Sequence, residues 1–327
     1  MQKLTYDNFI KAREFIFTHG QEIDRAWFRY HFENSDVDAF MNVLASYQYA
    51  NGGFGGLWHE FAYQGPCLKC TEIAIKYILT LGQKPSAEHP VIQNTMRYLL
   101  DHYLPQIGNW GEVVVPEVND STHCRWSRYR GEDTSPIENE DERIEKYDAN
   151  EKVCFAAFVS YYSELVPREL CNEILKYPIE HILRYWDEQS PQYNASLFNR
   201  DVPYMFEYFL DFVLYLKDRE VGEKLASILC QNPTAFFVLD FARSDTNYVH
   251  LPCDVAVKTP KSFLYPTVKE LVDRSLEHRL GQQKEDGRWP LGWSFGEGEF
   301  QSLQTKYEAS QTTDMLVKLK EFGMIEM

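Results

Sequence analysis

Three acidic residues close to predicted helix starts are the first candidates for chemistry. We rank Asp148 and Asp254 first and Glu72 third. A carboxyl group buried among Tyr and Trp side chains has a raised pKa and can act as a general acid. The alternative is structural, because a carboxylate near a helix N-terminus is stabilised by the helix dipole.

Aromatic residues in predicted loops and at helix starts are candidates for ligand binding. Aromatic ring faces stabilise carbocations, and stacking surfaces for sugars would look the same in a sequence. Phe, Tyr and Trp make up 15% of the chain, so the alternative is that they fill a large core. The candidates are Trp58, Tyr63, Trp126, Tyr147, Tyr204, Tyr248 and Trp293.

Two short patterns are weak candidates for a metal site. Cys67-x2-Cys70 has the spacing of half a zinc site, and His250-x2-Cys253 followed by Asp254 is the plausible second half. A zinc site needs both halves, which would have to face one cavity. The alternative is two buried thiols and a loop histidine.

The charge balance excludes some partners. The chain of 327 residues carries 33 basic and 49 acidic residues, a formal net charge of −16, and no run of Lys and Arg. Nucleic acids and anionic membrane surfaces are therefore not expected partners. A small apolar molecule is expected instead, and the sequence leaves a partner subunit open.

Targeting signals are also missing from the sequence. No apolar stretch reaches the roughly 18 residues of a membrane span, and the N-terminal residues lack the apolar segment of a signal peptide. The seven cysteines are scattered, which is typical of reduced thiols. We therefore expect a cytoplasmic protein.

The spacing of apolar residues predicts an all-α fold of about twelve helices. Two or three short helices are expected before Phe40. A charged stretch at 116–147 is expected to be a solvated loop, with a lid over a cavity as the alternative. The other helices are predicted at 67–81, 91–103, 151–165, 168–185, 204–216, 221–230, 235–242, 266–281 and 305–322.

A repeated turn pattern follows some of these helices. Segments 48–54 (QYANGGF) and 283–289 (QKEDGRW) share the pattern Gln-x3-Gly-x-aromatic, and 106–111 (QIGNWG) is a shortened copy. We expect each Gln to end a helix and to bind unsatisfied carbonyl groups through its amide. The Gly allows a left-handed turn, and the aromatic residue folds back to seal the junction.

These turns resemble the QW motifs of squalene–hopene cyclases and related triterpene cyclases, whose toroid is shared by protein prenyltransferase β-subunits. Segments 65–74 and 307–314 resemble the openings of inner helices in that family. The resemblance implies a single (α/α)6 toroid over residues 1–327, with six inner and six outer helices. In such a ring the inner-helix N-termini gather at one end of a central funnel, where Asp148, Asp254 and Glu72 would meet.

The catalytic motifs of that family are not matched. The nearest segment to the Asp-x-Asp-Asp acid motif begins at Asp36, which is better interpreted as a helix N-cap. The acidic run at 139–142 only weakly resembles the magnesium-binding motif of that family. Asp254 follows Cys253 directly, whereas the zinc-binding motif of prenyltransferases is Asp-x-Cys. The sequence requires no cofactor and leaves zinc or magnesium open.

Three functions follow as expectations. The resemblance implies a terpene-cyclase-like or prenyltransferase-like protein that binds an isoprenoid or another apolar ligand in an aromatic-lined cavity and cyclises or transfers it. A carbohydrate-active (α/α)6 enzyme, such as a lyase or unsaturated-glycoside hydrolase, is the first alternative. A non-catalytic toroid that binds a ligand or a protein is the second, and the fold itself does not separate the three.

Overall fold

The protein is mostly helical in the residues that the computed structural model describes, which are 2–131, 135–145, 151–191, 193, 203–247, 249–255 and 259–326. These residues form thirteen α-helices and a two-stranded sheet, which confirms the predicted all-α class. The helices are α1 (Tyr6–His19), α2 (Glu22–Phe32), α3 (Val37–Ala45), α4 (Leu68–Thr80), α5 (Pro90–Asp101), α6 (Glu140–Glu145), α7 (Glu151–Tyr161), α8 (Arg168–Tyr185), α9 (Pro203–Tyr215), α10 (Arg219–Leu229), α11 (Pro252–Val255), α12 (Tyr265–Leu280) and α13 (Glu299–Glu321). The strands are β1 (Tyr103–Leu104) and β2 (Asn109–Trp110).

The position of each helix follows from its apolar residues. α10 buries one side, with Leu225, Ile228 and Leu229 inward, as expected for a helix at the surface. α7 is buried at every residue from 153 to 160, because α4, α8 and α9 all pack against it. None of the helices in the described ranges is long and apolar enough to cross a membrane.

Six helices make a connected series of contacts. α4 packs against α7, α7 against α9, and α9 against α11. α11 meets α13 through Asp254 and Lys318, whose charged atoms lie 3.9 Å apart. α13 packs against α2, and α2 meets α4 through the rings of Trp27 and Tyr77, whose centroids are 5.1 Å apart. Each of the six therefore contacts two others.

A second set of helices lies against this series. α1 packs against α2 and α13, α3 against α2, α8 against α7, α10 against α8 and α9, and α12 against α11. α5 is tied to the turn after α3, since the Gln48 amide donates to the Val91 carbonyl at 3.2 Å. Apart from the short α6, helices of the two sets alternate along the chain.

The two full Gln-x3-Gly-x-aromatic turns share one hydrogen-bond pattern. The Gln48 amide donates to the Gly52 carbonyl at 3.0 Å, and the Gln283 amide donates to the Gly287 carbonyl at 2.9 Å. Gly52 and Gly287 have φ angles of +95° and +92°, in the left-handed region that glycine adopts without steric cost. The predicted Gly turns are confirmed.

Each of these turns is also bonded to the helix that follows it. The Phe54 N–H donates to the Thr71 hydroxyl at 3.1 Å, and the Trp289 N–H donates to the Thr312 hydroxyl at 3.0 Å. The Trp289 indole reaches back to the Arg279 carbonyl at 2.7 Å, near the end of α12. The two turns therefore use the same kinds of donor and acceptor, although Thr71 lies in the first turn of α4 and Thr312 lies in the middle of α13.

The shortened copy at 106–111 differs from the other two. It forms the turn between β1 and β2, so the prediction that Gln106 ends a helix is wrong, because β1 lies between it and α5. Gly108 is left-handed, with φ +67°. The Trp110 indole donates to the Leu99 carbonyl of α5 at 2.8 Å, which confirms its predicted role as a seal.

Some predicted elements are wrong or were missed. The helix expected at 235–242 is replaced by two short 3-10 turns, Pro233–Phe236 and Phe241–Asp245. The apolar run there is too short to build the several turns that make an α-helix stable. α6 and α11 were not predicted, since a helix of one or two turns shows no periodicity.

The described part of the charged stretch at 116–147, which is 116–131 and 135–145, is more ordered than a solvated loop. It contains two 3-10 turns and α6. Ile144 is fully buried, and the Arg143 guanidinium donates to the carbonyls of Pro105 and Gln106 at 3.2 and 3.0 Å. Part of the stretch is therefore fixed to the β1–β2 turn.

Residues near the two ends of the described chain pair with each other. The Leu4 N–H donates to the Met324 carbonyl at 2.8 Å, and the Glu326 N–H donates to the Leu4 carbonyl at 2.9 Å. Leu4 and Ile325 thus form a parallel bridge. This bridge fixes α1 beside α13, against which it packs.

Candidate functional site

Glu72 is fully buried at the centre of a group of polar side chains, of which Lys69, Lys76 and Glu151 are half-buried. Its Oε1 accepts a hydrogen bond from the Tyr208 hydroxyl at 2.6 Å and lies 2.9 Å from the Lys76 ammonium. Its Oε2 lies 2.9 Å from the Lys69 ammonium. Lys69, Glu72 and Lys76 are spaced three and four residues apart, so α4 places them on one face, and α9 supplies Tyr208.

The group extends to α7 and to the loop before α4. The Lys69 Nζ lies 2.7 Å from Glu151 Oε1 and 4.3 Å from the centroid of the Trp58 ring. The Lys76 Nζ lies 4.3 Å from the centroid of the Tyr208 ring. Each ammonium therefore combines ion pairs with a cation–π contact. We refer to this set as the Glu72 cluster: Lys69, Glu72, Lys76, Glu151 and Tyr208.

The cations keep Glu72 ionised. Burial raises the pKa of Glu72, but Lys69, Lys76 and the Tyr208 hydroxyl outweigh burial and bring it to about 2. Burial lowers the pKa of Lys69, but Glu151 and Glu72 raise it well above its ordinary value. At neutral pH the cluster offers charges and hydrogen bonds rather than a mobile proton. The expected raised pKa is wrong for Glu72, because its own helix carries two cations.

Asp254 on α11 is ion-paired in the same way. The Arg279 Nε donates to its Oδ1 at 3.1 Å, the Leu251 N–H donates to its Oδ2 at 3.0 Å, and Lys318 is the second cation. Burial raises the pKa of Asp254, but Arg279 and Lys318 lower it to about 2. The expected raised pKa is therefore wrong for Asp254 as well, because α12 and α13 surround it with cations.

Three of the predicted ligand-binding residues meet in one aromatic group. The Tyr307 ring lies 5.6 Å from Trp58, 6.2 Å from Trp293 and 5.8 Å from Phe295, centroid to centroid. Trp126 extends the group through an edge contact with Phe295 at 5.9 Å, and it is 47% exposed. We call these residues the aromatic cluster: Trp58, Trp126, Trp293, Phe295 and Tyr307.

The remaining predicted site residues lie elsewhere or outside the described chain. Tyr63 is half-buried with its ring 6.5 Å from Phe61, and it makes no ring contact with the aromatic cluster in the described residues. Asp148, Tyr147 and Tyr248 lie outside the described residues, and Tyr204 lies in α9 with only its backbone described.

The four candidate zinc ligands do not meet. The Cys70 N–H donates to the Cys67 sulfur at 3.4 Å, while Cys253 and His250 lie with Asp254. No three His, Cys, Asp or Glu side chains in the described ranges lie close enough together to hold a metal ion. The joint zinc site is therefore wrong for these residues.

The acidic run at 139–142 also has other partners. Within α6, Glu140 forms an ion pair with Lys176 of α8, and Asp141 forms one with Arg184 of the same helix. These pairs account for two of the acidic side chains that were compared with a magnesium-binding motif. They hold α6 against α8 instead.

Asp24 is a notable group that the sequence did not single out. It is buried in the first turn of α2, and its Oδ2 accepts a hydrogen bond from the Gln21 N–H at 2.7 Å. Burial, together with the nearby Asp314, raises the pKa of Asp24 to about 7. The spacing of Gln21 and Asp24 suits a helix-capping box, which was a visible signal for its position but not for its burial.

A surface groove lies apart from these groups. It has a volume of about 390 Å³ and runs between the end of α7, α8 and the start of α10. Ser160, Cys171 and Leu216 are among its lining residues. None of the candidate site residues lines it, so the groove adds nothing to the Glu72 and aromatic clusters.

The Glu72 cluster and the aromatic cluster together form the candidate functional site. They join at Trp58, and α4, α7, α9 and α13 supply most of their side chains. No protein-family model, curated protein or solved structure matches this chain.

Proposed function

We propose that the chain is an (α/α)6 toroid with α2, α4, α7, α9, α11 and α13 as inner helices. The proposal is supported by the series in which each of these helices contacts two others. The alternation with α1, α3, α5, α8, α10 and α12 supports it as well. The two copies of the turn repeat are what a ring of repeated helical hairpins requires.

The site in this toroid binds a sugar-like small molecule, which has an apolar ring face and many hydroxyl groups. The aromatic cluster offers a surface on which the C–H face of a sugar ring can stack. The Glu72 cluster offers charged donors and acceptors for hydroxyl groups. A few placed polar groups beside aromatic walls are typical of small-molecule sites.

The position of Trp58 carries this proposal. The centroid of its ring lies 5.6 Å from the centroid of the Tyr307 ring and 4.3 Å from the Lys69 Nζ. The stacking surface and the charged groups therefore adjoin. An isoprenoid needs an apolar lining, and charges next to the stacking surface favour a polar ligand instead, because desolvating them without new hydrogen bonds is costly.

A thermal-shift titration tests the proposal. Neutral and uronic-acid oligosaccharides are compared with polyprenyl diphosphates and squalene-like polyenes, each with and without zinc and magnesium. A ligand that binds only the folded state at a hundred times its Kd stabilises that state by about 2.7 kcal/mol and raises Tm. We expect a shift from an oligosaccharide, and a shift from polyprenoids alone would contradict the proposal.

Matched variants locate the site. Trp126→Ala removes a 47% exposed ring of the aromatic cluster, whereas Tyr6→Ala removes a 59% exposed ring on α1. Neither change should unfold the protein, because both side chains are exposed. Only Trp126→Ala should weaken ligand binding, and its Kd should rise roughly tenfold for each 1.4 kcal/mol of binding free energy that is lost.

An isoprenoid ligand is the second candidate, and Asp24 favours it. Cyclisation of a polyene needs a carboxyl group that stays protonated beside aromatic rings. The pKa of Asp24 is about 7. Burial raises the pKa of the neighbouring Tyr77, and the charge of Asp24 raises it further. Turnover of a squalene-like polyene that Asp24→Asn abolishes would support this candidate over the first.

A further inference from the structure

Glu60, in the loop before α4, places a carboxylate beside the aromatic cluster. The Trp58 indole N–H donates to its Oε2 at 3.2 Å, and the Ser127 hydroxyl donates to the same oxygen. Ser127 directly follows Trp126 in the chain. Glu60 therefore bonds to one residue of the aromatic cluster and to the neighbour of a second.

The backbone on both sides of this contact is also paired. The Cys124 N–H donates to the Glu60 carbonyl at 2.7 Å, and the Ala62 N–H donates to the Thr122 carbonyl at 2.7 Å. These two hydrogen bonds form an antiparallel bridge between the two segments. The position of the Glu60 side chain between the two indole rings is therefore set by the backbone.

The other oxygen of the Glu60 carboxylate, Oε1, accepts no hydrogen bond from the part of the chain that the structure describes. Glu60 is only 9% exposed, yet its Oε1 is not among the fully enclosed polar atoms of the described residues. A nearly buried acceptor without a donor is costly. Oε1 therefore favours a ligand that brings a donor to it.

The charge of Glu60 is not cancelled by its neighbours. The ammonium group of Lys69, over the Trp58 ring, is already paired with two carboxylates of the Glu72 cluster. Arg125 and Arg128 are exposed, and within the described ranges neither forms an ion pair with Glu60. Glu60 therefore adds a negative charge next to the stacking surface.

We propose that Glu60 determines the specificity of this site and selects a neutral sugar over a sugar acid. Its Oε1 accepts a hydroxyl group of a ring that stacks on the aromatic cluster. A carboxylate accepts hydrogen bonds and donates none, so it binds the hydroxyl of a neutral sugar and repels the carboxylate of a uronic acid at the same position. This inference rests on the proposed function, because it needs a sugar-like ligand in the site.

Calorimetric titration of the full chain with matched sugars tests this inference. The probes are β-1,4-linked glucose and galactose oligomers and the same oligomers oxidised at C6 to uronic acids. We expect the neutral member of a pair to bind more tightly. Glu60→Gln should raise the Kd of the neutral member roughly tenfold to a hundredfold, because a hydrogen bond to a charged acceptor is lost. It should lower the Kd of the acidic member, because the repulsion is removed and an amide can donate to a carboxylate.

Two further variants separate specificity from structure. Glu14→Gln, on the exposed side of α1, changes the net charge by the same amount and should leave both values of Kd unchanged. Ser127→Ala removes a donor to Oε2 and keeps the charge of Glu60, so it should leave the preference for the neutral member in place. Equal weakening of both members by Glu60→Gln would mean a purely structural role and overturns the inference.

The preference of the unmodified protein decides the question even if Glu60→Gln does not fold. Tighter binding of the uronic-acid member, or equal binding of both members, overturns the role of Glu60 and leaves the sugar site standing. Tighter binding of the acid would point to Arg125 and Arg128 instead. Failure of every oligosaccharide to bind overturns the proposed function, and the role of Glu60 with it.

Discussion

The Tyr208 hydroxyl donates a 2.6 Å hydrogen bond to the Glu72 carboxylate, and both side chains are buried between α4 and α9. Removal of a donor to a buried charged acceptor costs roughly 1.5–3 kcal/mol. We therefore expect Tyr208→Phe to lower the free energy of unfolding by about 2 kcal/mol in a urea titration. Tyr6→Phe, on an exposed side chain, is the control and should stay within about 0.5 kcal/mol of the unmodified protein.

Glu72→Gln should be the more damaging change in the same cluster. It leaves the half-buried Lys69 and Lys76 without one of their counter-charges, and breaking a buried ion pair from one side costs roughly 3–5 kcal/mol. Glu22→Gln breaks only surface pairs with Arg25 and Arg29, and it should cost less than about 1 kcal/mol. Similar losses in the two variants, measured by urea unfolding, would contradict the buried network.

The same carboxylates predict a loss of stability in acid. The pKa of Glu72 is about 2 in the folded protein against an ordinary value of 4.5, and the pKa of Asp254 is also about 2, against 3.8. Because both are depressed by folding, their stabilisation is complete above about pH 4.5 and is lost as the pH falls toward 2.

The Glu72 part of this loss amounts to about 3 kcal/mol. It should disappear in Glu72→Gln, so the variant should show a flatter dependence of unfolding free energy on pH between 4.5 and 2. Parallel curves for the variant and the unmodified protein would mean that Glu72 is not ionised by its neighbours.

Asp24 predicts the opposite dependence of the unfolding free energy on pH. Its pKa is raised by folding from 3.8 to about 7, so its neutral form stabilises the fold fully below pH 3.8 and this contribution falls as the pH rises toward 7. The difference is on the order of 4 kcal/mol. Asp24→Asn keeps a neutral side chain of the same shape, so it should be more stable than the unmodified protein at pH 8 and close to it at pH 4. A thermal-unfolding series over this range measures the effect, and no gain at pH 8 would contradict it.

The two Gln-x3-Gly-x-aromatic turns predict similar losses of stability when the threonine bonded to each turn is changed. Thr71→Val and Thr312→Val each remove the hydroxyl that accepts the N–H of the aromatic residue in the preceding turn. Each leaves a buried backbone donor without its partner, at a cost of roughly 1–3 kcal/mol. Urea unfolding should give similar values for the two variants, and Thr80→Val, at the exposed end of α4, should cost less. A large difference between Thr71 and Thr312 would show that the two units are not equivalent.

The helices and turns were largely accessible from the sequence, because their signals are local. Apolar spacing located most of the long helices, and the Gly positions predicted the left-handed turns. Asp36 is an N-cap as expected, since its Oδ1 accepts a hydrogen bond from the Ala39 N–H at 2.8 Å. The closed series of contacts among α2, α4, α7, α9, α11 and α13 could not be predicted from the sequence, because it joins residues that are far apart in the chain.

The charges of the site were only partly accessible. Lys69, Glu72 and Lys76 fall on one helix face, so this spacing alone could have predicted a lowered pKa for Glu72. Tyr208 and Glu151 come from other helices and gave no local signal. The partners of Asp254, on α12 and α13, were hidden for the same reason, as was the burial of Asp24.

The pairing of Leu4 with residues 324–326 has a consequence for how the chain folds. α1 and α2 each pack one side against α13, which begins only at Glu299. Contacts of such large sequence separation form slowly, because the whole intervening chain must first be ordered. Until residues 299–321 have been made, α1 and α2 therefore keep these sides uncovered, and a chaperone or a neighbouring nascent chain can reach them.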